Sequence, residues 1–304
     1  MPNYTKARKK ALDETRHHSK VFADKFKRGV VKQQLSPRKE AQLKETVLGK
    51  NLYSHPTLAN CKAVATVSEI LIDELLLHYH QKKHDRSMRY FLGTFCFDDG
   101  IIDCDHFLDT DVDKIIHKSR KAMSRVGLSG ICMVQAEILR KTKDYPRHRI
   151  LTHVHTVCWT TDPDFQPVVA GRLLSESKAI PNSLGAPSAK FVSRKQSAAG
   201  WNEKKSGPKP AFYRNLHRDQ NAASMAHLGF YMASQPSYAK VIVPADRPGR
   251  NDYMRSTDQK YPPYLAVIIG EHLSEIPVLK SIFGVDEGTA ISRAVHKRFR
   301  LACK

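Results

Sequence analysis

The chain has 304 residues, 41% of them apolar, which is enough for a buried core and too many for a disordered tail. Fifty Lys and Arg against 30 Asp and Glu leave a formal charge of +20, an excess that points to a polyanionic partner, nucleic acid before an anionic membrane surface. No apolar run reaches about 18 residues and the first twenty hold no leader-like apolar stretch, so neither a membrane span nor a secretory signal is expected.

Residues 1–50 carry 14 Lys and Arg against 5 Asp and Glu, with strong helix formers but few large apolar side chains. They read as a basic N-terminal extension over 1–60, frayed or disordered. Residues 63–82 have the pattern of an amphipathic helix, with Ser68 or Thr66 as cap and Ile70, Leu71 and Leu75 packing inward. A strand is predicted over Arg89–Phe97, ended by Asp98-Asp99-Gly100. A helix follows over 111–126, capped by Asp111, with Ile115, Ile116, Ala122 and Met123 facing the core. Residues 130–139 and 149–159 read as strands joined across Lys141–His148, a hairpin. The middle of the chain is therefore α+β around an antiparallel sheet with flanking helices.

The block 90–176 is nearly neutral, with 11 basic and 12 acidic residues, whereas 181–260 has 13 and 5. A basic loop is expected over 181–210, a helix over 220–235, proline-broken connections beyond it, and a helical tail to the end. The expected division is 1–60, a central domain over 61–245, and a connector with helical C-terminal region over 246–304. The six cysteines never form C-x-x-C, so they read as reduced thiols of a cytoplasmic protein.

Thr152-His153-Val154-His155-Thr156 carries the chemistry. On a strand, residues i and i+2 share a face, so His153 and His155 point the same way and can bind a divalent metal. With 15 His in this length, roughly 0.7 such pairs arise by chance, so the motif needs context. The second pair, His78 and His80, falls on the predicted helix, where i and i+2 splay apart, and reads as an exposed helical end. The context of His153 and His155 is the preceding strand, which puts Gln135 and Glu137 on one face and Val134, Ala136 and Ile138 on the other. Pairing the two strands brings Glu137 near the imidazoles as a carboxylate ligand. Tyr231, on the predicted helix 220–235, is a phenol able to attack phosphorus if a metal polarises the phosphate; Tyr238 is the fallback.

In this order, a strand with Phe91-Leu92-Gly93-Thr94-Phe95, a strand with Gln135-Ala136-Glu137-Ile138, Thr152-His153-Val154-His155 and a helix bearing Tyr231, the sequence resembles rolling-circle replication initiators of the HUH endonuclease superfamily. The resemblance spans about residues 89–240. Thr94 and Phe95 match the family's first strand motif, His153 and His155 its His-hydrophobic-His motif, and Tyr231 the tyrosine of its Tyr-x-x-Lys motif. Ser234 stands where that lysine would be, and Lys240 is the nearest later substitute.

The resemblance implies a ferredoxin-like or RRM-like sheet and Mg²⁺ or Mn²⁺ held by His153, His155 and Glu137. It also implies Tyr231 as the nucleophile that joins the 5′ end of a cleaved strand and frees a 3′ hydroxyl. Single-stranded or hairpin DNA would be the partner, with a host helicase as a second one and no membrane. Lys190, Arg194, Lys195, Lys204 and Lys205 are the candidate phosphate contacts, and His148 and His217 spare ligands or proton carriers. Two alternatives stay open: a catalytically impaired DNA- or RNA-binding protein on the same fold, and a single-strand transposase or relaxase.

Overall fold

The computed structural model of the chain describes residues 2–50, 52, 56–85, 87–104, 110–143, 145–166, 169–170, 189–192, 221–243, 253–256 and 261–304. At its centre β3 (Arg149–Thr160) lies between β1 (Arg89–Asp103) and β2 (Ser129–Arg140), antiparallel to both. Side-chain alternation then decides what meets what. One face carries Thr94 and Cys96 from β1, His153, His155, Val157 and Trp159 from β3, and Ile131, Met133, Gln135 and Glu137 from β2. The other carries Phe91, Phe95, Phe97, Cys132, Val134, Val154 and Cys158. These pack against Ile115, Ile116, Ala122 and Met123 of α4 (Val112–Arg125), whose first turn is capped by the Asp111 carboxylate accepting from Lys114 N–H.

β1 does not end at Asp98-Asp99-Gly100. Its register with β3 jumps from Cys96↔His153 to Ile101↔Leu151, which puts three more residues on β1 than on β3, a bulge. Asp99 in that bulge is paired with Lys114 and Lys118 of α4, so the acidic turn fastens helix to sheet. Four short strands widen the sheet: β4 (Ala189–Val192) beside β1, β5 (Lys240–Val243) beside β2, β6 (Tyr253–Ser256) beside β5, and β7 (Ile282–Val285) also beside β2.

The expected α+β class holds, but the sheet is mixed rather than antiparallel throughout. Leu139↔Lys240 and Arg140↔Val241 run parallel; β5 follows the helix Asn221–Met232 and is not joined to β2 by a hairpin. The expected helical tail is also corrected. Between α6 (Pro263–Ser274), α7 (Val278–Ser281) and α8 (Gly288–Ala302) it contributes β7 to the sheet. Gly288 permits this docking: a Cβ there would lie 1.8 Å from the Gly130 carbonyl oxygen.

The N-terminal residues are neither frayed nor disordered in this structure. α1 (Pro2–Gln33) is a continuous helix that buries Ala11, Leu12, Thr15, Ser19, Phe22, Lys25, Phe26 and Val30 at helical spacing. Several of these residues are small, which is why the stretch looked poor in core formers. Small residues let helices approach closely, and a Cβ on Gly29 would sit 2.2 Å from the Pro263 carbonyl oxygen of α6. α2 (Pro37–Leu48) adds Leu43 and Val47. α3 (Cys61–Lys82) starts earlier than expected, capped by Asn60, while Ser68 is buried against the Thr15 hydroxyl at 3.0 Å. With α5 (Asn221–Met232), these helices share one apolar cluster with Ile131, Met133, Val157 and Trp159 of the sheet. Among the described residues no helix is long and apolar enough to cross a membrane.

His78 is not an exposed helical end, although His80 is exposed; its ring lies 4.3 Å from that of Trp159. Burial, with Lys82 adding and Glu287 opposing, pushes its imidazole down to about 4. An unfolded His titrates near 6.5, so between about pH 6.5 and 4 the unfolded chain holds a proton the folded chain refuses. The His78 contribution to stability is complete above that window and is lost as the pH falls through it. Melting curves of His78→Phe should therefore depend less on pH over this range than those of the wild type. Parallel pH profiles would assign the acid sensitivity to another group.

Candidate metal centre and its tyrosine

β3 presents both imidazoles on the helix-covered face, and both are 0% exposed. The His153 and His155 Nε2 atoms are 2.9 Å apart, and Glu137 Oε2 is 3.8 Å from His153 Nε2. One ligand atom from each of the three residues falls within 4.8 Å of the others, so pairing β2 with β3 makes one donor set. Ligands at about 2.1 Å from an octahedral ion are roughly 3 Å apart along a cis edge, and the imidazole pair already has that separation. The carboxylate stands slightly wide of it.

The far sides of both rings are fixed. His153 Nδ1 is 3.2 Å from the Leu151 carbonyl oxygen, which can only accept, so the proton is on Nδ1 and Nε2 carries a lone pair. His155 Nδ1 is 3.1 Å from the Thr94 hydroxyl, which can donate or accept. When Thr94 donates, His155 Nε2–H bonds to His153. When Thr94 accepts, two lone pairs face one another and a cation satisfies both. Orientation of ligating imidazoles through their second nitrogen is the usual support of a metal site.

Charge agrees with that use. Burial lowers the pKa of His153, Lys240 adding to it and Glu137 opposing; burial, His153 and Lys240 hold His155 well below its ordinary value. Both rings are thus neutral donors near pH 7. Burial works to raise Glu137, but the Lys240 ammonium and His153 outweigh it, and the carboxylate is held below its usual range. Lys240, 8% exposed at its side chain, forms an ion pair with Glu137 Oε2 from the start of β5. The residues present therefore fit a divalent ion. Two imidazoles favour Mn²⁺ over Mg²⁺, which prefers oxygen ligands, and also suit Zn²⁺ or Fe²⁺.

Tyr231 lies on the last turn of α5, with its ring centroid 4.5 Å from that of His155. Burial, Glu137 and Cys96 hold its hydroxyl well above the ordinary phenol value, so it keeps its proton at neutral pH. The helix is held there by Gln135, whose amide donates to the Tyr231 carbonyl at 3.0 Å and to that of Met232. Ser234, in the position where a lysine was expected, turns back to the Tyr231 carbonyl at 3.4 Å. Gln135→Leu removes the amide donor from the Tyr231 and Met232 carbonyls and leaves only the longer Ser234 bond on the former, an expected loss of about 1–3 kcal/mol by urea unfolding. Unchanged stability would show that the amide does not hold the helix.

The remaining predicted residues divide. Lys190 occupies the β4 position opposite Thr94, in the same cross-strand row as His155. Arg194, Lys195, Lys204, Lys205 and His217 lie outside the described residues. His148 accepts from Lys141 N–H at 3.2 Å and faces the ring of Tyr264, and Tyr238 packs edge-on against His18 of α1. Two contributors had only partial sequence signals. Gln135 is visible as a polar residue on the right face, and Lys240 as the nearest later substitute for the lysine of the tyrosine motif, not as the partner of Glu137. Comparison with protein-family models, curated proteins and solved structures returned no match to this chain.

Proposed function

We propose that the chain is a metal-dependent nicking enzyme of the HUH type, acting on single-stranded or hairpin DNA as a replication initiator. The observation that carries the reading is the contact of the Tyr231 ring with His155, beside a His153–His155–Glu137 donor set. On this reading β1, β3, β2 and α4 correspond to the ferredoxin-like core, widened by the parallel strand β5. A divalent ion bound there supplies a positive charge that polarises the scissile phosphate. The Tyr231 oxygen forms a bond to phosphorus, the bond from phosphorus to the 3′ oxygen breaks, and the phenolic proton is passed on while the 3′ oxygen gains one. The products are a 5′-phosphotyrosine and a free 3′ hydroxyl able to prime synthesis. Thr94 and the Leu151 carbonyl keep the imidazoles aimed, and Gln135 holds the nucleophile's helix against them.

One observation favours the binding-protein reading: the Lys240 ammonium already neutralises Glu137, the carboxylate a metal needs. Incubation with labelled single-stranded DNA in Mn²⁺ or in EDTA, resolved on a denaturing protein gel, separates the two. A metal-dependent covalent adduct, lost in His153→Ala, supports the nickase. Salt-sensitive binding with no adduct on a broad pool of sequences supports the binding protein.

A further inference from the structure

The fold leaves one long charged surface unused by the candidate metal centre. α1 runs 32 residues, about 48 Å at 1.5 Å per residue, and packs one side on α3, α5 and α6. Its other side exposes Lys6, Lys9, Lys10, Arg16, Lys20, Lys27, Arg28 and Lys32, with only Asp13 and Asp24 as exposed acids. Arg16 is paired with Asp13. The other seven cations have no carboxylate partner among the described residues.

The exposed pattern repeats after eleven residues. Lys9 is followed by Lys20, Asp13 by Asp24, Arg16 by Lys27, and His17 by Arg28. Eleven residues make three turns at 3.67 residues each, close to the helix's own 3.6, so the charges hold a nearly straight line along it. The same stripe has no Phe, Tyr or Trp. Single-strand binders stack bases on aromatic side chains, and this surface offers none. Nor does it suit a membrane: the apolar face of α1, with Phe22 and Phe26 both 0% exposed, is spent inside the protein.

We infer that this stripe of α1 is a docking ridge for the phosphate backbone of double-helical nucleic acid, read without regard to base sequence. Resting on the nicking reading, it receives the duplex stem of a hairpin substrate. Contacts of this kind release counterions, and each phosphate neutralised contributes about 0.9 to the slope of log K against log salt.

The test is anisotropy titration of full-length protein with a 20-base-pair duplex, an oligo(dT) of equal length and vesicles containing phosphatidylserine, over a series of salt concentrations. The variant Lys9→Gln/Lys20→Gln/Lys27→Gln is set beside a control with equal charge loss on α8, Arg293→Gln/Lys297→Gln/Arg300→Gln. The ridge predicts that the α1 variant lowers the duplex slope by about 2.7, with the control close to wild type and little change for oligo(dT). Equal loss in the two variants, equal loss on oligo(dT), an unchanged duplex slope, or a loss confined to vesicles would each overturn it. Adduct formation on a short single strand should persist in the α1 variant. Absence of the adduct in every protein would count against the nicking reading and leave the duplex result standing by itself.

Discussion

On the proposed nicking reading, Tyr231→Phe is expected to abolish a covalent protein–DNA adduct while leaving the fold intact. The substitution removes only the hydroxyl. The ring that meets His155 at 4.5 Å stays, and so do the Gln135 bonds to the backbone carbonyls at the end of α5. Loss of one hydrogen-bonding group costs on the order of 1 kcal/mol, and in a chain of this size that lowers the melting temperature by only a few degrees. The adduct, by contrast, has no route without an oxygen to attack phosphorus, so the gel band should vanish rather than weaken. A Tyr231→Phe protein that still forms the adduct would displace the nucleophile to another residue, with Tyr238 the first to test. A Tyr231→Phe protein that unfolds would point instead to a structural role for the hydroxyl.

Lys240→Met should have the larger effect on stability. Glu137 is held as a carboxylate in a buried site chiefly because Lys240 lies against it. Removing one member of a buried pair strands the other's charge, a loss of about 3–5 kcal/mol. Glu137→Gln/Lys240→Met, which removes both charges, should recover most of that loss. A divalent cation can take the place of the ammonium, so Mn²⁺ should stabilise Lys240→Met more than the wild type. At a hundred times its dissociation constant, a ligand of the folded state alone adds about 2.7 kcal/mol. Urea unfolding of the three proteins, each with Mn²⁺ and with EDTA, checks both halves. If Lys240→Met is as stable as wild type in EDTA, the ion pair carries no weight in the fold. If Mn²⁺ gives it no advantage, the three side chains are not a cation site.

The convergence of Glu137, His153 and His155 was legible because it rests on a rule of period two. Alternation assigned the faces of β2 and β3, and a short turn between them required antiparallel pairing, so the residues had to meet across one ladder. The Asp111 cap and the inward face of α4 were legible for the same reason, since both follow from local geometry. The partners of that site were not. Gln135 acts on the end of a helix 96 residues away, and Lys240 arrives on a strand of four residues whose pairing no local pattern announces.

The sequence by itself determined the α+β class, the central hairpin and the positions of the three candidate ligands, because these depend on periodicity and on neighbours close along the chain. Only the tertiary structure decided that α1 is part of the core, that β5 runs parallel to β2, that the tail returns a strand to the sheet, and that a lysine meets Glu137. Those outcomes turn on which surfaces bury one another. α1 buries small residues beside Phe22, Lys25 and Phe26 and gains its stability from packing, with Gly29 so close to α6 that a side chain there would have no room. β7 gains its place from Phe283, 3% exposed, and from the close approaches of Gly284 to Gly288 and of Gly288 to the Gly130 carbonyl, which leave no room for a Cβ. Such contacts join positions more than a hundred residues apart, and a pattern read along the chain carries no term for them.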